Sequence, residues 1–105
     1  MISLYNCHMT VELFSAADDQ LVKVFKALSD QTRIAILRYL KDAGRGVTCG
    51  EVSAVIDMSK STGSYHFKLL REAGLTVTRK VAREKYVSIN KDAFDTFVSG
   101  FYDSL

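Results

Sequence analysis

Residues 48–74 read TCGEVSAVIDMSKSTGSYHFKLLREAG, and the fold turns on them. Thr48 and Glu51 stand three apart ahead of an apolar run, the spacing of a capping box, so a helix starts there. It is short, about 49–56, with Val52, Val55 and Ile56 facing inward. Asp57 and Met58 form a brief turn. Ser59 opens a longer helix to about residue 73, anchored by Phe67, Leu69, Leu70 and Ala73, and Gly74 stops it by taking the left-handed backbone that ends helices. Short helix, tight turn and longer helix together make a helix-turn-helix.

The first turns of the longer helix suggest what it meets. A helix entering the major groove of DNA needs small polar side chains near its N-terminus, while the rest anchors to a core. Lys60, Ser61, Thr62, Ser64, Tyr65 and His66 crowd those turns, where the helix dipole also favours a phosphate. Lys68 and Arg71, further along, suit phosphates and could also be plain solvated charges. Ser59 reads as the cap, and more hydroxyls follow it than one cap needs. Gly63 costs roughly 1 kcal/mol against alanine inside a helix; close approach of DNA and a tight packing contact account for it equally well. Tyr65 and His66 read equally well as packed side chains.

Past Gly74 the hydrophobic period changes from 3.6 to 2. Leu75, Val77, Arg79 and Val81 alternate with Thr76, Thr78 and Lys80, and alternation resumes over 85–89. The pattern predicts a hairpin with Ala82, Arg83 and Glu84 at its tip. Arg79, Lys80, Arg83 and Lys85 fall within seven residues. Such a basic ribbon can lie along a DNA backbone or reach the minor groove; it can also simply guard an edge strand.

Upstream, Leu21, Val24, Phe25 and Leu28 have the i, i+3, i+4, i+7 spacing of one helix face, and the stripe runs back through Ala17 to Phe14. This predicts a helix over 10–28. A second follows over 31–43, with Ile34, Ile36, Leu37 and Leu40 inward, ended by Gly44-Arg45-Gly46. Val47 suits a short strand. Downstream, Asn90 caps a last helix over 91–105, striped by Phe94, Phe97, Val98, Phe101, Tyr102 and Leu105. The expected fold is mainly α with a small β-hairpin (α+β). It is a single winged helix-turn-helix domain over 1–105, with about five helices and a two-stranded wing at 76–89.

Length and composition agree. With 105 residues, 48% hydrophobic and 25% charged, one globular domain can bury about two thirds of its unfolded surface. No apolar run approaches the ~20 residues of a membrane span. Met1 to Thr10 lack the features of a secretory signal, and two cysteines are too few for a disulfide framework. The expected setting is cytoplasmic, with no membrane partner. The formal charge of +2 hides a block over 58–91 with eight basic and two acidic side chains, flanked by acidic ends. A polyanion-binding surface has that footprint, and so does a merely solvated basic face.

Three motifs in order carry a family resemblance. Ala27-Leu28-Ser29-Asp30-Gln31-Thr32-Arg33-Ile34-Ala35-Ile36-Leu37 resembles the "A-L-(A/S)-D-x-T-R-x-x-I-L" opening of the ArsR/SmtB family of bacterial winged-helix repressors. Ser61, Ser64, His66, Leu70, Ala73, Gly74 and Leu75 fall on its recognition-helix signature, "S-x-x-S-x-H-L-x-x-L-x-x-A-G-L". Phe67 stands where leucine is usual. Arg79 to Tyr86 is similar to the family's wing. The resemblance implies a homodimeric repressor of double-stranded DNA whose first and last helices build the dimer interface. The large aromatic stripe of the last helix could simply cap the monomer core, but an exposed aromatic patch more often marks an interface, so Phe14, Phe94, Phe97, Phe101 and Tyr102 are the expected interface. A two-fold pair would set its recognition helices about 34–36 Å apart, over an inverted repeat.

Many members of that family release DNA on binding metal. One type of metal site uses a Cys-x-Cys pair where this chain has Thr48-Cys49-Gly50-Glu51-Val52, with a single cysteine. Another uses Asp and His on the last helix, which here has Asp92, Asp95 and Asp103 but no histidine. The expectation is no metal and no cofactor, with the effector unknown. The alternative is a thiol- or metal-responsive repressor using Cys7 and Cys49, joined by His8. A winged helix used only for protein contact is a further alternative, against which the basic helix and wing argue. An enzyme is not expected: there is no glycine-rich phosphate loop, and Ser64 and His66, two apart on a helix, do not face each other.

Overall fold

Side chains at element boundaries set the fold, which is seen in a computed structural model describing residues 15–105. Ser15 accepts a hydrogen bond from the Asp18 backbone N–H and receives the Asp18 carboxylate on its own, so α1 spans Ala16–Leu28. The cap places the start later than the predicted residue 10; residues 10–14, Phe14 among them, lie outside the described residues. Asp30 caps α2 (Gln31–Ala43) by accepting from the Arg33 N–H at 3.0 Å, and Gly44 ends it at φ 63°.

The capping box expected from Thr48 and Glu51 is present at the start of α3 (Cys49–Val55). The Glu51 N–H donates to Thr48 Oγ1 at 3.1 Å, and the Thr48 N–H donates to Glu51 Oε2 at 2.8 Å. Ser59 caps α4 (Lys60–Glu72). That helix closes by a Schellman motif: Leu75 N–H donates to Leu70 O and Gly74 N–H to Arg71 O, with Gly74 at φ 80°. Gln20 of α1 also donates from Nε2 to Ala73 O at 2.8 Å, satisfying one more carbonyl at the end of α4.

The wing pairs β1 (Thr76–Val81) with β2 (Glu84–Ile89) antiparallel, Thr76 opposite Ile89 and Val81 opposite Glu84. Its tip is Ala82 and Arg83 alone, tighter than expected, with Ala82 at φ 56°. Val47 joins by a single bridge to Val87, with N–H···O distances of 2.9 and 2.8 Å, and roots the wing on the domain. The expected two-residue alternation is present, and the tertiary contacts decide which side meets the core. Thr76 and Val87 are buried, whereas Val77 and Val81 are each 49% exposed. Leu75 is buried before the strand begins, held by the Schellman turn, so its burial does not propagate along the alternation.

The single last helix expected over 91–105 is two pieces, α5 (Lys91–Phe97) and α6 (Phe101–Ser104), parted at Gly100 with φ 86°. Asn90 does not cap α5 with its side chain; Nδ2 donates instead to Gly74 O at 2.9 Å. The core draws on α1 to α5 and on the segments flanking them: Val24, Ile36, Leu37, Leu40, Val47, Val52, Leu70, Leu75 and Phe94 are all completely buried. Burial of each such side chain contributes about 1.5–3 kcal/mol. Val55, expected inward, is exposed, because α3 is under two turns long and only Val52 reaches the core. The result is a winged helix-turn-helix, with α3 and α4 as its two-helix unit.

Candidate nucleic-acid interface

The 3.6-residue period divides α4 into two faces. Gly63, His66, Phe67 and Leu70 turn inward, while Lys60, Ser61, Thr62, Ser64, Tyr65 and Lys68 are exposed. Among the hydroxyls, Ser59 accepts from the Thr62 N–H at 3.2 Å and bonds to the Thr62 hydroxyl at 2.8 Å, with Ser61 Oγ 3.4 Å away. Those three belong to one capping network. Ser64 stands outside it, with its hydroxyl uncommitted among the described residues. Gly63 is buried against Met58, and a Cβ there would meet the Met58 thioether at 3.5 Å. Packing therefore occupies that side of the helix.

His66 is removed from the candidate contacts. It is 7% exposed, and its Nδ1 lies 3.0 Å from Arg33 Nη1. A guanidinium can only donate, so Nδ1 is the acceptor in this pair. Arg33, itself 7% exposed, also donates from Nε to Ala27 O at 2.8 Å and from Nη2 to Lys26 O at 3.0 Å. Asp30 Oδ2 is 4.0 Å from His66 Nδ1. One buried arginine thus ties the end of α1, the start of α2 and the middle of α4. The Arg33 backbone N–H, helped by its guanidinium charge and opposed by burial, holds the Asp30 carboxyl below the usual carboxylate range. Sequence spacing conceals this cluster, since its members lie up to 40 residues apart.

The wing's four cations do not act as one group. Strand alternation puts Lys80 and Lys85 directly opposite each other on the face toward α4, together with Thr78 and Val87. Arg79 is on the reverse face, opposite Tyr86 and beside Val77 and Val81. Arg83 stands at the tip. Between α3, α4 and the wing runs a cleft of about 710 Å³, with Lys60, Ser64, Lys68 and Arg71 on its helix side and Lys85 on its wing side.

Cys49, at the start of α3, opens onto that cleft. Burial pushes its thiol up, with Lys85 opposing more weakly. Cys7 and His8 lie outside the described residues, and among those described no three His, Cys, Asp or Glu side chains gather as a metal site.

The C-terminal aromatics form part of the core. Phe94 is completely buried, with ring centroids 6.1 Å from Phe101 and 5.9 Å from Tyr102. The break at Gly100 turns the last segment back so that the stripe packs on itself, and Phe94 is unavailable to a partner. Phe97, Phe101 and Tyr102 are half-buried against the same core. Lys41 donates to Tyr102 O at 3.0 Å and lies over its ring. The large exposed apolar side chains of α1 are Val22, 53% exposed, and Phe25, 56% exposed. Phe25, expected on one helix face with Val24, is exposed, whereas Val24 is completely buried.

A family model described as a helix-turn-helix domain matches residues 28–79, from the end of α1 to the first strand of the wing. The chain is 48% identical over 103 residues to the HTH-type transcriptional regulator YceK of Bacillus subtilis (strain 168), covering 97% of this chain and 100% of that protein. It is 36% identical over 67 residues to the transcriptional repressor SdpR of the same strain, covering 64% and 72%. Among solved structures it resembles the homodimeric winged helix-turn-helix DNA-binding domain Mb0332 (fragment 1–100) from Mycobacterium bovis, a possible ArsR-family transcriptional regulator. There the TM-score is 0.70 at 26% identity, over 85% of this chain and 82% of that one. The chain belongs to the ArsR/SmtB family of winged helix-turn-helix transcriptional regulators. Its fold and relatives are those of DNA-binding regulators and not of enzymes. No helix among the described residues is long and apolar enough to cross a membrane.

Proposed function

We propose that the chain is a homodimeric repressor that binds an inverted-repeat operator through α4 and the wing, as one domain whose terminal helices serve pairing. The observation that carries the reading is a continuous cationic surface. Lys60, Lys68 and Lys85 border the α4–wing cleft, no carboxylate lines it, and Arg83 extends the same sign at the tip. Ser64 and Tyr65 lie exposed between the lysines, as base-edge contacts require. Ser61 and Thr62 sit at the helix start, where the dipole favours a phosphate. Arg79, on the reverse face of the ribbon, meets a phosphate only if the backbone wraps past the wing.

Repression is supported by likeness to SdpR, and pairing by likeness to the homodimeric Mb0332 domain. The exposed Val22 and Phe25 supply an apolar face for pairing along α1, and the half-buried Phe97, Phe101 and Tyr102 supply apolar surface on the terminal helices.

The test is capture of genomic fragments by the purified protein, followed by footprinting at several salt concentrations. About 6–10 phosphate contacts would cost ~10³–10⁵ in affinity between about 50 and 200 mM salt. Arg83→Ala should weaken all sequences alike, and Ser64→Ala should change the preferred sequence. A flat salt response, or footprints indifferent to both changes, would overturn the reading.

A further inference from the structure

The α4–wing cleft has a character that DNA binding alone does not require. Its floor is apolar: half-buried Met58 lines it together with the small exposed edges of Phe67 and Val87, 7% and 3% exposed. Phe67 is also the position where this chain departs from the family's usual leucine. Above the floor stand Lys60, Lys68, Arg71 and Lys85, and none of the four makes an ion pair among the described residues. At about 710 Å³ the cleft is within the size range of small-molecule sites, which are mostly apolar with a few placed polar groups. A phosphodiester backbone would satisfy the rim and leave the floor unused.

We infer that this cleft binds a small amphipathic monoanion, an apolar body carrying one carboxylate or sulfonate, and that its occupation excludes DNA. The apolar body lies on Phe67, Met58 and Val87, and the anionic head meets the unpaired cations. Lys60, Ser64, Lys68 and Lys85 belong both to this site and to the proposed DNA surface, so ligand and duplex compete. The competition rests on the DNA-binding reading; the binding of the anion does not.

The experiment uses the full chain with sodium decanoate as probe and 1-decanol as its uncharged counterpart. Iodoacetamide labelling of Cys49, followed peptide by peptide in a mass spectrometer, reports occupation, because Cys49 opens onto the cleft. Decanoate should slow labelling several-fold at saturation, and decanol should do so far less. Arg71→Glu should raise the half-saturating decanoate concentration about tenfold, the scale of a charge reversal beside a partly shielded anion. Ser53→Phe, which narrows the cleft from exposed α3, should abolish protection while circular dichroism shows the fold retained. For a duplex recovered by genomic capture, decanoate should raise the half-saturating protein concentration in proportion to ligand added. Equal protection by decanol, no protection, insensitivity to both variants, or protection without displacement of bound duplex would each overturn the inference. Protection in a protein that binds no duplex would support the anion site and overturn the repressor reading instead.

Discussion

Gly63 and Arg33 show how differently single residues carry this fold. Gly63 sits inside α4, has no positive φ, and faces only the flexible Met58 side chain at ordinary contact distance. Alanine fits there, and removing a helix-interior glycine stabilises by up to ~1 kcal/mol. Gly63→Ala should therefore raise the urea midpoint at an unchanged m-value. Arg33 is the opposite case. Arg33→Met would leave buried carbonyls and the His66 ring without a donor, at about 1–3 kcal/mol for each unsatisfied group. It should lower stability by roughly 2–4 kcal/mol, seen as an earlier unfolding midpoint. Asp30 gives a pH prediction. Its folded-state value is depressed, so its contribution is complete above the unfolded value of about 3.9 and is lost as pH falls through the folded one. Asp30→Asn keeps an effective cap and should flatten the loss of stability as pH falls below about 4. An acid limb unchanged by the substitution would assign it to other carboxylates.

At the scale of elements, the wing sets two lysines face to face. Lys80 and Lys85 occupy opposed positions, and like charges so placed cost about 0.2–1 kcal/mol. Lys80→Glu converts the repulsion to attraction, so thermal stability should rise slightly while DNA affinity falls and the salt slope drops by about one phosphate contact. Melting and binding would move in opposite senses; a joint rise would detach this face from DNA. The elements also show what was legible. Caps and stops are local, and Asp30, the Thr48–Glu51 pair, Ser59, Gly44 and Gly74 each act as their residue type dictates. Facing is not local. The alternation in β1 was plain, but which side met the core depended on the Val47–Val87 bridge, a contact 40 positions apart that no short window contains. Gly100 was a visible break signal inside the aromatic stripe, and the stripe's periodicity concealed it.

For the whole molecule, the corrected surfaces relocate the expected dimer contact. Phe94 belongs to the core, and the exposed apolar side chains of α1 take its place as the primary candidates. Phe25→Glu should give monomers by analytical ultracentrifugation with the far-UV spectrum retained, because the position is outside the core. Phe97→Glu, at a half-buried site, should cost stability as well. A paired Phe25→Glu protein would move the interface elsewhere. The candidate contacts on α4 were readable because an exposed helical face follows from periodicity alone. His66 was not, because its partner comes from another helix, and neither was the division of the wing's cations, which depends on strand register.

Gln20 fastens α1 to the tail of α4, and Arg33 locks the end of α1 to the middle of α4. Fastened at two points, the pair behaves as a single lever. In a dimer joined along α1, any rolling of one lever on the other would swing both reading heads together. The number of base pairs separating the operator's two halves would then be governed by the bulk of two side chains, Val22 and Phe25, that never come near the duplex.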